Sequence, residues 1–493
     1  STSSTDSKAR ASPSSTAPAP ALPPATAASD MRVGIIGGGI SGLATARGLL
    51  KYGIECVVFD TGKRGVGGRC SSRLGGDGTN FPGAVDHAAQ FVEVSGNCEA
   101  FGAFVDDCVE DGVLAPWSGY EGGDGRRLFV GSAAEGIGAL PAALAEGVDV
   151  RQDVWVSPNG GVRFDRESKR WVANKEQFDA VVIAHNGKCA ERITSKIPSV
   201  PVRNLCKAAF GTKPAKGRMT LNSVYSLVFE TRKGALDGAP VAQKFGDDAV
   251  LAFLGNNGRK LGWATEDDAT EVFTALSTGE YGKKNKHPQE QLKGTDVETR
   301  VTRELLDAVA DACGAEPLEP LRAKLQLWGA AVPLNRWASD APFAWDGAHK
   351  IGVVGDWLYA DLPSCVEAAF ASGDGLAAHL RDAPGDDRGL QGSFAAATSD
   401  FSTPRRGAAA AAAAPSKPST KTPEQKRVVK LKKALKRIGQ LRLEDYATLK
   451  TEQRVKIHGE ADVLDELRTL GVDADALRLK LQPGLPTPMP RSR

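Results

Sequence analysis

The alternation of apolar and polar positions predicts the first elements of the chain. Val33-Gly34-Ile35-Ile36 is an unbroken apolar run, the pattern of a strand buried on both faces. Glycines at 37, 39 and 42 follow in G-x-G-x-x-G spacing, where that strand would turn into a helix. Leu43, Ala46, Leu49 and Leu50 give the helix an apolar face, and Gly53 ends it. Ile54 to Phe59 predicts a second strand, with Asp60 at its end. In this setting Gly37 permits the tight turn, Gly39 lets a pyrophosphate approach the backbone, and Gly42 lets helix and strand pack closely. Ile40 and Ser41 open the helix, whose free N–H groups and positive dipole end suit phosphate. Asp60 is placed to hold an adenosine ribose and to repel a 2′-phosphate.

Further along, Val148 to Val156 alternates as a strand with one wet face, and Phe178 to Ala184 reads as another buried strand. From about 200 to 340 short alternations such as Val224 to Phe229 predict an antiparallel sheet, with a helix near Val297 to Ala312. Ile351 to Val354 is a buried strand that runs into Gly355-Asp356. Ser364 and Glu367 fit a capping box for a helix running through Gly373. Gly, Asp, Pro, Ser and the alanine run at 408–414 then mark a linker. Thr422-Pro423-Glu424-Gln425 opens a helix striped by Val428, Leu431, Leu435 and Ile438 and otherwise strongly basic. A second helix, about 451 to 470, carries Ile457, Ala461, Leu464, Leu467 and Leu470 and stops at Gly471.

Composition narrows the class. The 493 residues, 41% of them apolar, suffice for more than one domain. A net charge of +2 makes no case for nucleic acid binding by the whole chain, and no apolar run is long enough for a membrane span. The eight cysteines form neither a C-x-x-C pair nor a zinc spacing and read as reduced thiols. No metal site is expected. Residues 1–30, rich in Ser, Thr, Ala and Pro, cannot build a core; they fit an organelle transit-peptide remnant or a translated extension ahead of Met31.

A second glycine cluster, Gly62 to Gly68 followed by Arg69, resembles FAD-binding oxidoreductases more than a plain NAD fold. Asp86-His87-Ala88-Ala89-Gln90-Phe91, with Val113-Leu114-Ala115-Pro116-Trp117, is similar to the renalase branch of the flavin amine-oxidase superfamily. This chain has Ala88 where that pattern has glycine and Phe91 where it has tyrosine. Gly187-Lys188-Cys189-Ala190 is similar to plant and algal plastid-type members, which points to the chloroplast, with the cytoplasm as the alternative.

The resemblance implies FAD as cofactor. It implies that Gly68, Arg69 and Gln90 meet the cofactor, Arg69 at a phosphate or the flavin edge, and that Val154 meets the adenine through its backbone. Gly355 allows close approach, Asp356 accepts from ribityl or pyrophosphate-side hydroxyls, and Val366 lies at a helix start facing the flavin pyrimidine edge. No catalytic residue is indicated; Cys365 reads as a small buried residue, and His87 and His185 as core hydrogen-bonding groups. The implied reaction is hydride transfer from a small reduced substrate, such as a dihydronicotinamide isomer, to flavin N5, with reoxidation by dioxygen. An amine oxidase is the alternative, with Phe370 standing where one aromatic of a substrate cage could be. A third reading is an FAD-bearing scaffold with a working tail. The tail resembles the basic C-terminal segment of eukaryotic initiation factor 2A at Gln453, Lys456-Ile457 and Glu466-Leu467, so 422–470 is a candidate surface for RNA, ribosome or an acidic protein.

The expected architecture is α/β: a Rossmann-like FAD-binding domain interleaved with a smaller mixed-sheet substrate domain, plus a C-terminal helical hairpin. The FAD-binding domain takes 31–100, 130–200 and 345–382, and the substrate domain 101–129 and 201–344. Residues 1–30 are a disordered extension, 383–421 a linker, 422–480 the basic hairpin and 481–493 a disordered tail.

Overall fold

The computed structural model describes residues 31–75, 81–121, 125–211, 218–246, 248–359 and 366–394. In the tail it describes 460–481 and single positions between 427 and 442. The chain divides into two compact units, Ser1–Arg405 and Arg406–Arg493.

The first unit is built on a six-stranded sheet. Its strands in chain order are β1 (Arg32–Ile36), β2 (Glu55–Phe59), β3 (Asp149–Arg151), β4 (Ala180–Ile183), β5 (Ala344–Asp346) and β6 (Ile351–Val353). The spatial order is β5-β6-β4-β1-β2-β3, parallel throughout except for the antiparallel edge pair β5–β6. Both faces are covered, as the continuous apolar runs require. Val33, Ile35 and Val58 pack on one side against Ala46 and Leu49 of α1 (Ile40–Lys51) and Leu376 and Leu380 of the helix Val366–Asp382. Ile36, Val57, Phe59 and Val181 face the other side, against Trp171, Phe178, Ile193 and Leu205. The strand expected over Val148–Val156 is confined to β3, and Val154 and Val156 continue beyond it as core contacts.

A second sheet is antiparallel, with strands in the order Ala242–Lys244, Leu251–Asn256, Thr270–Ser277, Val224–Arg232 and Arg322–Trp328. Strand alternation splits its residues between two layers. Tyr225, Leu227, Phe229 and Phe273 pack on Val301, Leu305 and Val309 of the helix Asp296–Cys313. Val228 and Val272 instead pack on Phe81 and Val85, on the segment leading to His87.

Two boundaries move from where the sequence put them. Residues 101–129 were assigned to the substrate domain, but Phe101, Phe104, Val105 and Leu114 pack with Ile40, Leu43 and Ala44 of α1. The apolar face of helix Glu99–Glu110 finds its nearest complement there. The linker was set to begin at 383, but Gly392–Phe394 pairs with Trp337–Ser339, and Arg388 exchanges backbone hydrogen bonds with Trp345. Residues 395–421 of that linker lie outside the described residues, as do 1–30 and 482–493.

The second unit has a small core of its own. Leu431 and Leu435 from the first stripe pack with Leu464 and Leu467 of the helix Glu460–Thr469 and with Ala474 of a further helix, Ala474–Leu481. Glu460 is buried between two cations, with Arg442 Nη1 at 2.5 Å and Arg478 Nε at 3.3 Å. Among the described residues no helix is long and apolar enough to cross a membrane.

The two layers of the first unit are joined by a buried ion pair. Lys260 Nζ lies 2.8 Å from Asp86 Oδ2, and neither side chain is exposed. Removing one partner of such a pair leaves an uncompensated buried charge, so Lys260→Met is expected to cost about 3–5 kcal/mol in urea unfolding.

Candidate cofactor cleft

The first turn of the β1–α1 connection is made by glycines under different demands. Gly37 has φ +117° and donates to Phe59 O, which ties the turn to the end of β2. A Cβ on Gly42 would stand 2.0 Å from Gly37 O, so only glycine allows α1 to start there. Gly39 is unlike both: its φ is −78°, and a Cβ on it would meet nothing within 4 Å. Nothing in its own chain requires glycine at 39. It is also the N-cap of α1 without a side-chain cap bond, so the first-turn N–H groups at Ile40, Ser41 and Gly42 have no side-chain acceptor at the cap.

The second glycine cluster lies against the first. Gly67 N donates to Gly38 O at 2.7 Å, Gly39 and Gly67 form a parallel bridge, and a Cβ on Gly68 would lie 4.0 Å from Gly39 Cα. A cleft of about 1020 Å³ begins at Asp60, passes Gly65 and Gly68, and reaches Ser71, His87 and Trp328. Asp60 stands at the end of β2, where Gly62 N donates to its Oδ1 at 3.3 Å. Val154 N donates to Asp60 O at 2.9 Å, so the N–H of Val154 is spent on clasping the strand end.

Several residues expected to meet the cofactor meet each other. Arg69 makes a bidentate pair with Asp356, Nη1–Oδ2 2.8 Å and Nη2–Oδ1 3.0 Å, and also donates to Ala331 O at 2.6 Å. Gly355 donates to Ser372 Oγ, and a Cβ on it would collide with the Trp357 indole. Gln90 is buried and fully engaged: Nε2 donates to Asp86 O and Ala88 O, and Oε1 accepts from Lys260 Nζ at 2.9 Å. Val366 is half-buried at the start of its helix and packs on the Phe101–Phe370 core. Ser364 and Cys365 lie outside the described residues, and the Glu367 carboxylate accepts from Ser95 N and Cys98 N. Phe370 is no cage aromatic; it stacks on Phe104 and touches Phe101 inside the core.

At the far end of the cleft His87 stacks on Trp328, 5.4 Å between centroids, and its carbonyl accepts from the indole N–H. Burial, with the Arg73 and Lys324 charges, pushes His87 down to about 3, so the ring is neutral. Burial also lowers the Lys260 ammonium, against the opposing pull of Asp86. Lys260 carried no sequence signal: it sits among Asn257-Gly258-Arg259 as an ordinary charged residue, and its partner is far away in the chain.

Residues 35–108 match the family described as NAD(P)-binding Rossmann-like domain. No curated protein matches the chain. Among solved structures, a redesigned putrescine oxidase is similar at 12% identity and TM-score 0.47, covering 71% of this chain and 99% of that one. Cyclohexylamine oxidase from Brevibacterium oxydans gives 15% identity and TM-score 0.46 over 72% and 99%. The fatty acid isomerase of P. acnes that produces CLA gives 12% and 0.45 over 71% and 99%. A likeness at these scores says nothing of a shared reaction.

The open space over Gly39 yields a discriminating variant. Gly39→Val is expected to fold with a loss of only about 1 kcal/mol, the size of a poorer N-cap, because the backbone and surroundings accept a Cβ, and to lose dinucleotide binding. Flavin absorbance after gel filtration with added FAD, alongside the melting curve, checks both halves.

Proposed function

We propose that this chain is an FAD-dependent oxidoreductase that oxidises a small, neutral, reduced donor of the dihydronicotinamide type and passes the electrons to dioxygen. The observation that carries the reading is Gly39, a glycine that neither its φ nor its neighbours demand, at the uncapped start of α1. The residues present fit the cofactor. The α1 N–H groups and the bare glycine would hold the pyrophosphate, and Asp60 would bind the adenosine ribose hydroxyls. The cleft is long enough to continue past Gly68 to the His87–Trp328 wall. FAD supplies a two-electron acceptor when bound.

The chain's own residues favour a neutral donor over an amine. Arg73 lines the His87 end of the cleft, and the Arg73 and Lys324 field that helps keep His87 uncharged works against a protonated amine there. Phe370 is in the core, and the buried Lys260 is committed to Asp86 and Gln90. A tail that binds RNA or ribosome rests on the basic composition of 422–470 alone.

Anaerobic titration of the purified, FAD-loaded full chain tests the donor class. Dihydronicotinamide isomers are expected to bleach the oxidised flavin band, and air to restore it with peroxide release. Bleaching by primary amines alone would replace this reading with an amine oxidase. A flavin that neither class reduces would contradict both.

A further inference from the structure

The second glycine loop, from Gly67 to Ser71, is held from two sides. On the side of α1, Gly67 N donates to Gly38 O at 2.7 Å, and Gly39 and Gly67 form a bridge. On the other side the segment His87–Ala89 holds it. Ala89 N donates to Arg69 O at 3.0 Å, and His87 Nε2 lies 3.3 Å from Ser71 Oγ. His87 is fixed in its turn by Trp328. The indole N–H donates to the His87 carbonyl at 3.1 Å, and the two rings stack with centroids 5.4 Å apart.

The direction of the His87–Ser71 bond follows from its neighbour. Gly68 O can only accept, so the single hydroxyl proton of Ser71 goes to it, at 2.7 Å. Ser71 Oγ is then the acceptor from His87 Nε2, and the neutral ring carries its one proton there. The bonds run from the imidazole N–H to the hydroxyl and on to the Gly68 carbonyl, each polarising the next. Gly68 has φ +57°, and a Cβ on it would lie 4.0 Å from Gly39 Cα. Its backbone therefore stands across from a glycine at the start of α1 that the fold does not demand. Gly67 and Gly68 are both left-handed and their own torsions are soft, so the position of the loop is set by what grips it.

We propose that His87 and Ser71 are positioning residues for the dinucleotide. Through the Gly68 carbonyl they fix the second glycine loop against Gly38 and Gly39, so a histidine on the far wall of the cleft governs how tightly the phosphate end binds. Neither side chain needs to touch the phosphates. The inference rests on the FAD reading of the cleft given above.

Titration of the full-length, cofactor-free protein with FAD, read by flavin fluorescence, tests it alongside the melting curve of each unliganded variant. Ser71→Ala, which breaks the chain of bonds, is expected to weaken FAD binding roughly tenfold, the scale of one lost hydrogen bond. His87→Phe keeps a ring against Trp328 but has no N–H, and is expected to weaken binding as much. His87→Gln, whose amide supplies an N–H in place of Nε2–H, is expected to restore most of the affinity whatever its melting temperature. Because both residues act through one carbonyl, the double variant Ser71→Ala/His87→Phe is expected to bind no more weakly than either single one. Equal FAD affinity in all variants, no rescue by His87→Gln, or additive losses in the double variant would overturn the inference and leave the FAD reading standing. An unaltered protein that binds no FAD would overturn both.

Discussion

Asp86 is the residue on which the two layers of the main body depend. Its carboxylate accepts from Ser72 Oγ at 2.7 Å and Ile137 N at 2.8 Å on the cofactor side, and pairs with Lys260 Nζ on the side of the second sheet. Its own N–H donates to Asn257 Oδ1, and its carbonyl accepts from Gln90 Nε2 and Thr274 Oγ1. Asn257 Nδ2 in turn donates to Thr274 Oγ1. A buried polar network stabilises through its satisfied members, and here the Asp86 carboxylate, N–H and carbonyl all have partners, Oδ2 through its ion pair with Lys260. The short segment from Asp86 to Gln90 is thereby held rigid, and with it His87, which closes the cleft. Ala89 N donates to Arg69 O, so the same segment also braces the second glycine cluster.

The glycine loops work the opposite way. Gly37 and Gly42 are glycine because the chain folds tightly on itself there, while Gly39 faces open space at the start of an uncapped helix. That contrast separates the glycines the fold needs from the one proposed to serve a phosphate at the start of α1. Arg69 and Asp356 are structural in the same sense. Their bidentate pair fixes the loop after the ribose acid to the strand that closes the sheet, with Ala331 of the returning segment as a third contact.

The sequence made the local order legible: β1, the turn glycines, α1, β2 and Asp60 follow from apolar runs and spacing within some thirty residues. The antiparallel sheet was legible from period-two alternation, and the tail stripe from helical spacing. Pairing between distant residues was not. The bidentate pairing of Arg69 with Asp356, 287 positions apart, has no local sequence signal. The Glu367 carboxylate also accepts from Ser95 N and Cys98 N, some 270 positions away, which no local pattern announces. Gln90 read as a cofactor ligand because its motif did, while its amide is consumed by Lys260 and the backbone of its own turn. Phe370 shows the same limit for apolar groups, since an aromatic at helical spacing does not declare which core it enters.

We infer that α1, Gly39 and Asp60 grip the adenylate half of a dinucleotide and its pyrophosphate. Titration calorimetry of the full, cofactor-stripped chain with FAD and with FMN tests this most directly, because FMN lacks the adenylate half. Tight binding of FAD with no detectable binding of FMN is the predicted result. Equal binding of the two, or no binding of FAD, would contradict the account.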